Sequence, residues 1–230
     1  MIPRVVHVAS GREWRGGQRQ VWLLAQELER RGVDQVVVTT EGSELARRLT
    51  GSRVRVQPAT WRAGLDPRVI PAILKAARRP TLLHAHDGHA VTLAGVCATL
   101  TRSSFVVTRR VTFPLRRGYF WHRACRIITI SGAVRDALLT DGVAPTRLVL
   151  IPSAVDPTAA TSDGVDLRTR LELPQSGQLA LTIGSLTPEK DHRTLIEAAA
   201  RLVRDLPDLH WAIVGEGPLE PELRQLIARL

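Results

Sequence analysis

The chain has 230 residues, 44% of them hydrophobic, and a formal net charge of +10. That length suggests one to two domains at roughly 150 residues each, and the composition excludes collagen-like and disordered chains. The longest clean apolar stretch, residues 90–100, falls short of the ~20 residues that a membrane-spanning helix needs. No charged-then-apolar leader opens the chain, so a cytoplasmic protein is expected.

Of the 32 basic residues only Lys75 and Lys190 are lysines, and the arginines are scattered as pairs such as Arg47-Arg48 and Arg109-Arg110. With aromatics at 4% and no compact basic run, nucleic acid is not an expected partner. Phosphorylated small molecules suit this charge, as does peripheral contact with the anionic inner face of a membrane. Cys97 and Cys125 form no C-x-x-C pair and read as reduced thiols.

Strand-like runs alternate with helical periodicity. Residues 5–8 form a β-branched strand, followed by a loop through Gly16 and Gly17. Val21, Leu24, Ala25 and Leu28 then recur at helical spacing over residues 18–31, with Gly32 as the stop. Strands are predicted at 35–39 and 53–56, and a helix from Pro67 to Arg79. Residues 81–84 form a strand that ends in A-H-D-G-H, and a helix follows from about Ala90. Further strands are predicted at 105–108, 126–130 and 148–151, with Ser131 capping a helix to Thr140. Strands alternating with helices predict an α/β fold with a doubly wound, mostly parallel sheet.

Residues 152–174 shift to Ser, Thr, Asp, Gly and Pro, apart from a helical turn at Leu167 to Leu171. This divides the chain into an N-terminal domain 1–153, a linker 154–174 and a partial second domain 175–230. The second domain reads as strand 179–184, helix 191–206, strand 210–214 and a helix from Leu219.

The motifs G-G-Q at 16–18, H-A-H-D at 84–87, R-R-V-T-F at 109–113, I-T-I-S-G-A-V at 128–134, I-P-S-A-V-D at 151–156, G-S-L-T-P-E-K at 184–190 and G-E-G-P-L at 215–219 occur in this order. The order resembles family 4 glycosyltransferases of the GT-B fold, over essentially the whole chain. The resemblance implies two Rossmann-like domains, the first for an acceptor and the second for a nucleotide sugar. It also implies glycosyl transfer with retained configuration and no obligatory metal. Two departures matter. Ser185 stands where family members carry an arginine, and the family's E-x7-E segment, expected downstream of G-E-G-P-L, does not follow. By that likeness these residues are incomplete or inactive as an enzyme.

Breaking a sugar–diphosphate bond develops negative charge that a metal or fixed cations must offset. No Asp-x-Asp pair occurs, which leaves Lys190, at a helix start, as the catalytic cation. The resemblance adds His86 as a catalytic contact at a strand end. Gly16, Gly17, Ser185, Gly215, Glu216 and Gly217 are the donor-binding candidates, because glycines let backbone N–H groups approach a phosphate. Asp87, Arg109 and Arg110 are the acceptor-side candidates, one arginine holding an anionic group. Trp14 is a candidate for stacking on a sugar. The acceptor is a glycan, a lipid or a small molecule. Two alternatives stay open: a non-catalytic binding module, and a metal-dependent hydrolase built on His84, His86 and His89. Against the hydrolase, Asp87 comes one residue too early for a His-x-His-x-Asp-His set, and such a shift turns a strand side chain to the other face.

Overall fold

The computed structural model describes residues 4–78, 81–115, 120–156, 164, 166–174 and 176–230. Contacts divide the chain into two units, residues 1–156 and 157–230.

In the first unit the β-branched runs form seven parallel strands: β1 (Arg4–Ala9), β2 (Gln35–Thr40), β3 (Arg55–Ala59), β4 (Thr81–Ala85), β5 (Ser104–Arg109), β6 (Arg126–Thr129) and β7 (Leu148–Leu150). Their order is β3-β2-β1-β4-β5-β6-β7, with Val6 registered between Val36 and Leu83. Alternation along the strands sends Val6, Val8, Val36 and Val38 to one face. There they pack with Ile73 and Val91 of helices α3 (Ile70–Ala76) and α4 (Gly88–Thr101). Ala9 and Val37 point the other way, onto Val21 and Leu45 of α1 (Gly16–Arg30) and α2 (Glu44–Arg48). Helices on both faces give a parallel sheet the two-sided cover it requires.

Several local expectations shift. Gly16 and Gly17 form the first turn of α1 instead of a loop before it. The helix expected from Pro67 is a short 3-10 turn, Pro67–Val69, in front of α3; Asp66 caps the turn by accepting from the Arg68 N–H at 3.1 Å. Arg79 lies outside the described residues, as do 157–163 and 165 of the expected linker. Ser131 caps α5 (Gly132–Thr140) as expected, accepting from the Val134 N–H at 3.3 Å.

The second unit opens with a turn of helix, α6 (Leu167–Arg170). It then pairs β8 (Gln178–Ile183) in parallel with β9 (Leu209–Val214), through α7 (His192–Leu202), and ends in α8 (Glu220–Arg229). Its core is small: Leu186, Ile196, Leu223 and Leu226.

Candidate functional site

Ligands gather at the carboxyl ends of parallel strands, where loops diverge, and in the first unit these ends carry three histidines. Register pairs His7 of β1 with His84 of β4, and strand period two returns His86 to the same face. All three rings are buried. His7 Nδ1 lies 3.0 Å from His86 Nε2, and His84 Nε2 lies 2.7 Å from Thr108 Oγ1. Burial pushes His7 down to about 4, with the Gln35 side chain opposing. Burial also drives His84 and His86 well below the ordinary range, with further lowering from neighbouring histidines and Arg110. The cluster is therefore neutral near pH 7. His7 carried no motif; only the pairing of β1 with β4 reveals it.

The structure gathers a different histidine set from the one expected for a hydrolase, and this set could hold a metal ion. The imidazoles that converge are those of His7, His84 and His86, whereas His89 lines a separate pocket beside Ser10 and Arg12. Among the described residues no carboxylate joins the converging set, and Arg110 donates to the His86 carbonyl at 2.8 Å. The Arg110 charge lowers the pKa of both His84 and His86, and the same repulsion would oppose a bound cation.

The adjacent arginines separate cleanly. Arg109 turns onto its own loop, donating to the carbonyls of Val111 and Phe113 and lying over the Trp121 ring. Two of its nitrogens, Nε and Nη2, are thus engaged within its own loop. The Arg110 Nε–H and His86 Nδ1 are buried, and neither has a hydrogen-bond partner among the described residues. Asp87 serves structure first. Its carboxylate accepts from Ser10 N and Ser10 Oγ, both at 2.7 Å, and caps α4 through Ala90 N at 3.0 Å. The side chain still borders a pocket of about 380 Å³ shared with Arg12, Arg62 and His89.

Gly16 and Gly17 lead α1 without a side-chain cap or an acidic residue in the first turn. A Cβ at either position would meet open space, so nothing in the packing demands glycine there. Trp14 meets Trp22 edge-on at 6.1 Å, and the Arg48 guanidinium sits 4.2 Å over its ring. That contact occupies a face that a sugar would need.

In the second unit the loops after β8 and β9 run against each other, backbone to backbone. Leu186 N donates to Glu216 O at 2.9 Å and Gly184 N to Val214 O at 3.0 Å. A Cβ at Gly215 would strike Gly184 O, and one at Gly217 would strike the Leu186 backbone. These glycines therefore have a packing reason to be glycine, and the Glu216 side chain is left exposed. His192, absent from the expected site, donates Nε2–H to Ser185 O at 3.0 Å and holds the first loop. Lys190 is exposed and makes no ion pair among the described residues. It ends a 3-10 turn, and Asp191, at φ 47°, leads α7 without a side-chain cap. The open N–H groups of α7 and one unpaired ammonium thus lie within a few residues of each other.

Two family models match the sequence: Glycosyltransferase Family 4 over residues 14–159 and Glycosyl transferases group 1 over residues 166–230. Over 231 residues the chain is 26% identical to the lipopolysaccharide core biosynthesis glycosyltransferase LpsE of Rhizobium meliloti, covering 99% of this chain and 64% of LpsE. It is 30% identical over 159 residues to the putative colanic acid biosynthesis glycosyl transferase WcaI of Escherichia coli, covering 67% of this chain and 38% of WcaI. The crystal structure of Anabaena HepE in complex with UDP-glucose superposes with a TM-score of 0.77 at 18% identity, covering 100% of this chain and 66% of HepE. The fold is thus of GT-B type, and the chain spans about two thirds or less of these relatives' lengths. With the first model alone matching well over half of its residues, the chain belongs to glycosyltransferase family 4.

Proposed function

We propose that this chain takes part in glycosyl transfer, with a nucleotide-sugar donor handled by the second unit and the acceptor by the first. In this reading the donor's anomeric configuration is retained and no metal is used. Family membership supports the reaction class, and the UDP-glucose carried by HepE supports the donor class. One observation carries the assignment: the unpaired ammonium of Lys190 beside the uncapped start of α7. A departing nucleoside diphosphate gathers negative charge, and fixed dipoles and cations stabilise it without reorganising. Ser185, Gly215, Glu216 and Gly217 would border the diphosphate, and Gly16 and Gly17 would offer the N–H groups that open α1. His86 and Asp87 would stand at the acceptor edge. The arginine-rich composition supports work beside an anionic membrane.

Amide NMR with a panel of nucleoside diphosphates and nucleotide sugars tests this. Resonances of Ser185, Lys190 and Gly215 should shift, and Lys190→Ala should weaken binding at least about tenfold, the scale of a lost charge-assisted contact. Shifts confined to other residues, or none with any nucleotide, would overturn the donor assignment. Product anomers, and turnover with and without EDTA, then check retention and metal independence. Binding without transfer would mark a binding module instead.

A further inference from the structure

The geometry points to a binding site in the first unit for the head and first carbons of a lipid monophosphate, held at Arg110. The polar end rests on two buried groups left without partners, Arg110 Nε and His86 Nδ1. Arg110 spends Nη1 on the His86 carbonyl. Its opposite edge, Nε with Nη2, makes no hydrogen bond among the described residues. That edge is the fork that grips two oxygens of a phosphate or carboxylate at once. Buried charges are normally paired, and the carboxylate that acts on Arg110 electrostatically, Asp87, is already committed to Ser10 and Ala90. His86, 5% exposed, adds a second polar contact. Its Nε2 faces another imidazole, which can give or accept a proton, so Nδ1 can suit either a P–O⁻ or a P–OH oxygen.

The walls decide the rest of the ligand. Arg110 and His86 are among the residues that line a pocket of about 260 Å³, whose other sides include Leu24, Ile128, Ile130 and Ile151. Gln20 closes part of its rim by bonding the Ala154 backbone through both ends of its amide, at 2.7 and 2.8 Å. Glu27 also borders the pocket, but Arg30 and Arg31 take up its charge. A free phosphate would leave those apolar walls wet, and a plain alcohol would leave the guanidinium edge unpaired. A phosphate on an alkyl or isoprenyl chain satisfies both.

This inference deepens the acceptor half of the function proposed above. Its test needs neither donor nor turnover, so missing transfer and missing lipid-phosphate binding are separate results. The full chain is titrated by calorimetry with octyl phosphate, octanol and inorganic phosphate, below micelle-forming concentrations. Octyl phosphate should bind at least about tenfold tighter than either of the others. Arg110→Gln should reduce octyl phosphate to the level of octanol. Ile151→Asn, at a half-exposed wall position, should weaken octyl phosphate and leave inorganic phosphate unchanged. Lys75→Gln, which removes a charge elsewhere, should change nothing. Inorganic phosphate binding as tightly as octyl phosphate would mean a simple oxyanion site, and equal binding of octanol an apolar groove with no head-group recognition. Either result overturns the proposal, as does an Arg110→Gln variant that binds like wild type. Should that variant misfold, the three ligands on wild type, with the Arg110 Nε–H resonance followed by NMR, still decide the matter.

Discussion

The two units are built from the same motif, a parallel strand followed by a helix and another strand, yet their strands have different surroundings. β2 is buried at every position, whereas β8 has only exposed and half-buried positions, with Ile183 75% exposed. The sequences of the two strands, Q-V-V-V-T-T and Q-L-A-L-T-I, do not announce this difference. β2 sits in a sheet of seven with helices on both sides, and β8 in a sheet of two. A strand's hydrophobicity records what it can bury; its neighbours decide what it does bury.

The largest expected effect sharpens this contrast. Leu83, fully buried between strands and helices, should cost about 2–5 kcal/mol on truncation to alanine. Segment-resolved hydrogen exchange in urea should place that loss in residues 4–156. An equal loss of protection in residues 176–230 would show that the units unfold as one, and the comparison would break.

Acid should also act on the first unit. Between pH 6.5 and about 4 the unfolded chain protonates His7 while the folded one does not. Stability therefore falls as the pH drops through that window, by about 3 kcal/mol from this residue alone. His84 and His86, shifted the same way, steepen the fall. Urea melts at several pH values should show the slope, and His7→Gln should flatten it.

Glycines offer a third test. Gly215→Ala forces a methyl into Gly184 O and should destabilise the second unit by about 1–3 kcal/mol. Gly17→Ala meets open space and should be neutral or gain up to about 1 kcal/mol, since alanine favours a helix. A Gly17→Ala protein that is stable but weaker in ligand binding would assign Gly17 to the site. The smallest effect belongs to Ile183→Thr, expected within about 0.5 kcal/mol in a thermal melt because the side chain is already in water.

Period and punctuation made the first unit's strand and helix order readable in advance. Valine runs marked the strands, and Ser131 and Gly32 marked helix ends where the structure has them. Hidden were features that depend on who lies beside whom. Helix α2 is only five residues long, too short for a periodic signal. His7 joined the cluster through register alone. The expectation that one arginine of the pair holds an anion could not say which, because Arg109's partners are carbonyls of a loop whose path no pattern encodes. Glycines chosen as ligand contacts looked alike in sequence, yet two are needed where loop meets loop and two face open space.

β1 is not at the margin of its sheet but inside it, flanked by β2 and β4. Val6 can meet Val36 early, but Leu83 must first leave the ribosome. Until then a sticky, two-sided ribbon waits with one border unzipped, the kind of intermediate that aggregates or recruits chaperones. Deleting β1 would thus remove the sheet's keel rather than trim its fringe.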